Sequence, residues 1–211
     1  MTPPAATVLS SSIGARLGLL IASIITVAFL LLAVLIYRQS ASSYEQRVEA
    51  GLETSTALMR DSVQLYDRAL RESTQRMAGT FRAMMPAGDA EVDTSKHVLI
   101  GERDTPVLSF GGTAINLQED AVDRFAAASG GNATVFVRDG DDFVRVSTSL
   151  RNAEGNRVLG TVLDRKGAAY QKLINGESYI GPASLFGVDY MTYYGPIKNA
   201  AGEVVGISYV G

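Results

Sequence analysis

The chain has 211 residues, a net charge of −3, no cysteine and a single histidine, and these counts exclude several classes of function. Without cysteine there are no disulfides, thiolate metal sites or cysteine nucleophiles. One histidine, His97, leaves little room for a zinc site or a Ser-His-Asp triad. The acidic balance and the lack of a basic cluster argue against a nucleic-acid partner. We therefore expect no catalytic residues, no metal and no cofactor.

Near the N-terminus, residues 17–37 form an uncharged apolar segment flanked by Arg16 and Arg38. About 20 apolar residues span the hydrocarbon core of a membrane. A cleaved signal peptide is the alternative, but its apolar region is only about 7–15 residues long. The sequence predicts a cytoplasmic tail over residues 1–16 and an uncleaved transmembrane helix over residues 17–37. One arginine on each side leaves the orientation open, and outward export would make the rest of the chain periplasmic.

The next segment, residues 40–85, is predicted to be one long periplasmic helix. Apolar residues recur in it at steps of three or four, which is the period of one helical face. These residues are Tyr44, Val48, Leu52, Met59, Val63, Tyr66, Leu70, Met77, Phe81 and Met84. The helix ends at "PAGDA", from Pro86. Such a stripe is explained by core packing, and a helix joined to a membrane anchor would also carry movement to the membrane.

Beyond the long helix, helices and strands alternate. "KHVLIG" indicates a strand, and Asn116 with Glu119 has the spacing of a capping box for a helix ending at Gly130. The period then changes to two: "ATVFVRDGDDFVRVSTSL" predicts a hairpin turning at Asp139–Gly140. A short helix over 166–174 and two strands around "LFG" follow, and the second of these pairs with "VVGISYV". The prediction is an α+β fold with at least five mostly antiparallel strands and the long helix on one face.

Two strands carry the candidate binding residues. In "FVRVSTS", Arg145 and Ser147 share a face opposite the valines, and an arginine fork beside a hydroxyl suits a carboxylate. The alternative is a solvated surface arginine. In "YMTYY", Tyr190, Thr192 and Tyr194 alternate onto one face, leaving Met191 and Tyr193 for packing. Tyrosine suits a pocket rim and also packs well in sheets, so both interpretations of the tyrosines stay open.

Several motifs occur in an order that resembles a known family. They are "GGTAIN", "ATVFVRDGDDFVRVSTSL", "GTVLD", "YIGPASLFGVDYMTYYGPI" and "GEVVGISYVG". Together they resemble the Cache 3/Cache 2 fusion type of single Cache sensor domain, found in bacterial methyl-accepting chemotaxis proteins. The resemblance implies a PAS-like sheet over 86–211 and a small organic, carboxylate-bearing ligand. The usual position of the Cache cavity adds Lys166, Tyr170 and Tyr179 to the candidate ligand-binding residues.

The resemblance also implies a setting for the domain. Such receptors lie in the bacterial inner membrane with a periplasmic sensor, and they are homodimers. They continue into a second membrane helix and cytoplasmic signalling regions, so we expect this chain, ending at Gly211, to stop before them. Cytoplasmic signalling partners would be reached only through that missing region. Two alternatives stay open: the input domain of a sensor kinase or cyclase, and an anchored module that binds a periplasmic protein.

Overall fold

The computed structural model describes residues 13–211, with side chains throughout that range except at residues 13, 15 and 40–54. Residues 1–12 of the predicted N-terminal tail therefore lie outside the described residues. So do the side chains of Tyr44, Val48 and Leu52 in the predicted apolar stripe. The chain divides into two compact units, Met1–Val63 and Gln64–Gly211, which are described separately.

The first unit contains the beginning of one long helix, α1 (Ile13–Met84). Within it, Arg16–Gln39 is long and apolar enough to cross a membrane, and its large apolar side chains are exposed. The hydroxyls of Ser23 and Thr26 donate to backbone carbonyls one turn earlier, each at 2.8 Å, so neither hydroxyl lacks a partner. A signal sequence near the N-terminus would also be long and apolar enough to meet this description.

The second unit combines the last part of α1 with two sheets and two shorter helices. The first sheet has the order β1-β2-β3 and the second the order β5-β4-β8-β7-β6, and all pairs are antiparallel. The elements are β1 (Ala90–Ile100), β2 (Arg103–Phe110), β3 (Thr113–Ala114), α2 (Asp120–Ser129), β4 (Ala133–Asp139), β5 (Asp142–Thr148), α3 (Ala168–Ile174), β6 (Tyr179–Leu185), β7 (Val188–Lys198) and β8 (Val204–Val210). This arrangement confirms the predicted α+β class with its antiparallel, PAS-like sheet of five strands.

Two apolar clusters cover the two faces of the five-stranded sheet. On the first face, Phe81 of α1 and Phe125 of α2 pack with Val135 of β4. On the second face, Leu173 of α3 packs in a cluster with Phe136 of β4. Val135 and Phe136 fall in different clusters because successive side chains of a strand point to opposite faces. The first face is thus covered by α1 and α2, and the second by α3.

The apolar stripe predicted along α1 is buried only near the end of the helix. The core on the first face includes Phe81, and Met77 packs against it. By contrast, Met59, Val63 and Tyr66 are each about two thirds exposed. These three side chains therefore add nothing to the core that contains Phe81, and the part of the stripe that packs on the sheet is the part near the end of the helix.

The link between β3 and α2 differs from the predicted capping box. The side chain of Asn116 bonds β2 instead, accepting from the Leu108 N–H and donating to the Pro106 carbonyl, both at 2.9 Å. The residue before α2 is Glu119, and no side chain caps the helix. The predicted end is confirmed, because Gly130 adopts the left-handed conformation with φ 70° that favours glycine after a helix.

The hairpin of β4 and β5 forms as predicted, with a shifted turn and a bulge. Asp139 pairs with Asp142, so the two residues between them form the turn, one residue later than predicted. The pairing also shifts register within the hairpin, a β-bulge that places Arg145 opposite Phe136. Bulges interrupt strict alternation and redirect side chains.

The three-stranded sheet is larger than the single strand predicted around "KHVLIG". β1 and β2 pair along most of their length, with an irregularity between Asp93 and His97. The second strand, β2, was not predicted because its sequence "RDTPVLSF" contains a proline, and a proline argues against a strand in the interior of a sheet.

Candidate functional site

A cavity of about 460 Å³ lies on the second face of the five-stranded sheet, and we call it the Arg145 cavity. Its walls come from β5, the segment that follows β5, the start of α3, and the strands β6 and β7. The lining consists of residues 161–164, 167–169 and 182–186 together with Arg145, Tyr179 and Tyr194. It is large enough for a small organic molecule.

Backbone pairing positions Arg145 at this cavity. β5 is an edge strand of its sheet, and the segment after it folds back along that edge. The Arg145 N–H donates to the Thr161 carbonyl, and the Gly160 N–H donates to the Arg145 carbonyl, both at 2.9 Å. The returning segment thereby forms one wall of the cavity and places the Thr161 hydroxyl beside the guanidinium.

The guanidinium of Arg145 is buried and only partly satisfied. The residue is 6 % exposed, and its Nη1 donates to Thr161 Oγ1 at 2.8 Å and more weakly to the Val158 carbonyl at 3.4 Å. Its Nε is buried without a hydrogen-bond partner. Among the described residues, no carboxylate lies within ion-pair distance of Arg145. The site therefore contains a buried cation with no anionic partner among the side chains that the structure describes.

Burial has an electrostatic consequence for Arg145. Desolvation lowers the pKa of its guanidinium to about 10, while the nearby tyrosines partly oppose that shift. At neutral pH the group is still protonated, so the cavity keeps its positive charge. A buried charge is costly unless it is paired, and an anionic ligand would supply the missing pairing.

Two tyrosines stand next to this charge. Tyr194 lines the cavity, and its ring lies 4.9 Å from that of Tyr209 on the neighbouring strand β8. Burial raises the pKa of Tyr194 to about 12 and also raises the pKa of Tyr209. Both hydroxyls therefore stay protonated and remain donors at neutral pH. The Tyr209 hydroxyl is buried without a partner, which adds a second unsatisfied polar atom near the cation.

Three of the eight residues predicted to bind ligand meet at this cavity: Arg145, Tyr179 and Tyr194. The rings of Tyr179 and Tyr194 lie 6.3 Å apart, because the two residues are paired across β6 and β7. Tyr193 packs against the cluster on the first face, as the alternation of β7 predicted.

The other five predicted residues lie outside the lining of the cavity. Three of them have hydroxyls that donate to backbone carbonyls: Ser147 to Gln118, Tyr170 to Asp141 at 2.6 Å, and Thr192 to Gly181 at 2.7 Å. The remaining two are Lys166, which is exposed, and Tyr190, which packs at the edge of the cluster on the second face. The bulge in the β4–β5 pairing explains why Ser147 does not follow Arg145 into the cavity.

Comparison with known families agrees with this architecture. A family model described as the Cache 3/Cache 2 fusion domain matches residues 37–211. The chain belongs to this family. Cache domains are extracellular domains that sense small molecules, and they are binding domains rather than enzymes. No curated protein matches the chain.

Phe186 is a lining residue of this Cache domain that sequence reasoning missed. Its ring centroid is 5.4 Å from the Arg145 guanidinium carbon. Phe186 and Gly187 form the turn between β6 and β7, with φ values of 52° and 83°. A left-handed conformation costs a residue with a side chain about 1–2 kcal/mol. The sequence did contain a signal, because a bulky residue stands in a two-residue turn that favours Asn-Gly. That signal does not show which side chain the Phe186 ring contacts.

The Cache domain also has a larger and more open groove of about 620 Å³, which offers weaker chemistry. Its arginine, Arg138, already donates to the carbonyls of Gly140 and Val204, at 3.0 and 3.3 Å. Its lysine, Lys198, lies beside Gly176 at the C-terminal end of α3, where a cation interacts favourably with helix carbonyls. Both cations of this groove, Arg138 and Lys198, therefore already interact with backbone groups of the fold.

Proposed function

We propose that this Cache domain is the periplasmic ligand-sensing domain of a chemoreceptor in the bacterial inner membrane, and that the Arg145 cavity binds a small carboxylate-bearing ligand. The observation that carries the proposal is the buried guanidinium of Arg145, which has an unsatisfied Nε and no carboxylate partner among the described residues. Arginine binds carboxylates through paired N–H donors. The proposed role is binding without catalysis.

Signal transmission in this proposal runs through α1. The last turns of α1 pack on the first face of the sheet through Met77 and Phe81, and the same helix contains the apolar stretch Arg16–Gln39. A ligand shifts an equilibrium only if it binds two packings with different affinity. Occupancy of the cavity would favour one packing of the sheet on α1, and a small movement of α1 would carry the signal across the membrane. Cytoplasmic partners would be contacted by parts of the receptor outside these 211 residues.

The exposed apolar residues of α1 support the second part of the proposal, a homodimer. Met59 and Val63 are exposed and lie four residues apart, so they share one face of the helix. We expect a second copy of the chain to cover this face. Because the chain has no cysteine, single cysteines report the contact cleanly. Met59→Cys should form intermolecular disulfides at least ten times faster than the neighbouring control Arg60→Cys, and equal rates would contradict the dimer.

Isothermal titration of the full chain in detergent tests direct sensing. The panel contains carboxylates, amino acids, amines and purines at one pH and ionic strength. We expect at least one small carboxylate to bind and to raise the melting temperature, since a ligand that binds only the folded state stabilises it. If no member of the panel binds, direct sensing through this cavity fails, and capture of a periplasmic partner protein becomes the better explanation.

A further inference from the structure

The turn at Phe186 combines an unfavourable backbone with an exposed aromatic ring. Leu185 and Val188 are paired, so Phe186 and Gly187 alone connect β6 to β7, and both have positive φ. Turns of this geometry favour Asn-Gly, because few side chains tolerate the left-handed region. Phe186 is also 46 % exposed. Neither backbone preference nor burial explains a phenylalanine here.

The Phe186 ring contacts the guanidinium of Arg145, which is the positive charge of the cavity. The guanidinium carbon of Arg145 lies 5.4 Å from the Phe186 ring centroid and 5.0 Å from that of Phe136. Phe136 is fully buried, whereas Phe186 is the outer ring. Both distances are within the range of cation–π attraction. The cation therefore has aromatic contacts both in the interior and at the entrance of the cavity.

The hydrogen bonds of Arg145 leave one edge of the guanidinium unused. Nη1 bonds Thr161 and Val158, while Nε and Nη2 make no hydrogen bond to a described residue. These two nitrogens present parallel N–H groups in the plane of the guanidinium, and their spacing fits the two oxygens of one carboxylate. The free edge therefore offers two donors that match one planar anionic group.

The rest of the lining favours an apolar body on that anion. Leu163, Ala169 and Pro182 contribute carbon surface, and Arg145 is the one cation among the lining residues. The acidic lining residue Asp164 is exposed, and its carboxylate accepts the backbone N–H of Lys166. A second carboxylate on the ligand would lose water without meeting a cation, and it would be repelled by Asp164.

From these contacts we infer that Phe186 is a specificity-determining residue that contacts the ligand, and that it selects small monocarboxylates with an apolar body over dicarboxylates. This inference rests on the proposed function of the Arg145 cavity. The ring excludes water at the entrance and contacts the apolar part of the ligand. Without the ring, water reaches the cavity and solvates a second carboxylate, so selectivity falls.

Butyrate and succinate test the inference because they have four carbons each and differ by one carboxylate. Both are titrated, with inorganic phosphate, into the full chain in detergent. We expect the wild type to bind butyrate at least ten times more tightly than succinate, and phosphate more weakly than butyrate. In Phe186→Asn the butyrate-to-succinate ratio should fall to about threefold or less. The melting temperature should be unchanged or higher, because asparagine suits the turn.

The matched control is Val188→Thr, which changes an exposed residue of the same hairpin outside the lining and should keep the wild-type ratio. An unchanged ratio in Phe186→Asn, with butyrate bound by both proteins, would overturn the role of Phe186 and leave the proposed function standing. Preferential binding of succinate or phosphate by the wild type would overturn the monocarboxylate class. Failure of the wild type to bind any of the three anions would overturn the inference, and failure across the wider panel would remove the proposed function as well.

Discussion

Arg145→Met should abolish carboxylate binding and, at the same time, raise the melting temperature of the unliganded chain. Methionine fills a similar apolar volume but cannot pair with an anion, so we expect a loss of at least a hundredfold in affinity. This corresponds to about 3 kcal/mol, typical for removing a buried charged partner. Titration with the best ligand from the panel measures the loss.

The expected rise in stability follows from the depressed pKa. Burial lowers the pKa of Arg145 to about 10, and each pH unit of depression corresponds to about 1.4 kcal/mol, so the buried charge costs roughly 3 kcal/mol. The lost hydrogen bond to Thr161 and the lost contact with Phe136 offset about half of this. Because the folded-state pKa is the lower one, the cost is fully present at neutral pH and declines as the pH rises above 10. The net gain should be about 1–2 kcal/mol.

Two further variants make this result interpretable. Arg145→Lys keeps the charge but lacks the planar fork, so we expect it to restore little affinity. Arg138→Met removes an arginine of the other groove and should leave carboxylate binding unchanged. If Arg145→Met bound ligand with wild-type affinity, Arg145 would not be a ligand contact. A marked fall in melting temperature would instead make its role structural.

Phe81→Ala should lower the free energy of unfolding by about 3–5 kcal/mol, which is typical for truncating a buried phenylalanine. Phe81 is 1 % exposed near the end of α1, and its ring packs edge-on against Phe125 of α2, with centroids 5.3 Å apart. The substitution leaves a cavity where α1 and α2 meet on the first face of the sheet. Thermal and urea unfolding of the full chain in detergent measure the loss.

Tyr66→Ala provides the control on the same helix, since Tyr66 is 68 % exposed. Its effect on the free energy of unfolding should stay within about 0.5 kcal/mol. A loss for Phe81→Ala that is no larger than the loss for Tyr66→Ala would show that the last turns of α1 do not depend on this core. In that case the route proposed for signal transmission would lose its physical basis.

The local elements of the second unit were largely predictable. The end of α2 at Gly130 and the strands around Phe186 follow from short-range rules, because glycine accepts left-handed φ and strand side chains alternate. The separation of Tyr193 from Tyr194 follows from the same alternation. Periodicity was less informative along α1. An apolar stripe shows which face is suited to packing and does not show how far the partner surface extends, as exposed Met59 demonstrates.

The sequence by itself determined the α+β class, the apolar N-terminal helix, the β4–β5 hairpin, the end of α2 and the choice of Arg145 as a candidate binding residue, because each depends on composition or on contacts between near neighbours in the chain. Only the tertiary structure decided which residues surround that arginine. A bulge turned Ser147 away, backbone pairing brought Thr161 alongside, and a turn on distant strands placed Phe186 beside the guanidinium. Strand register and the partner that each buried hydroxyl finds are long-range properties, so they appear only when the chain has folded.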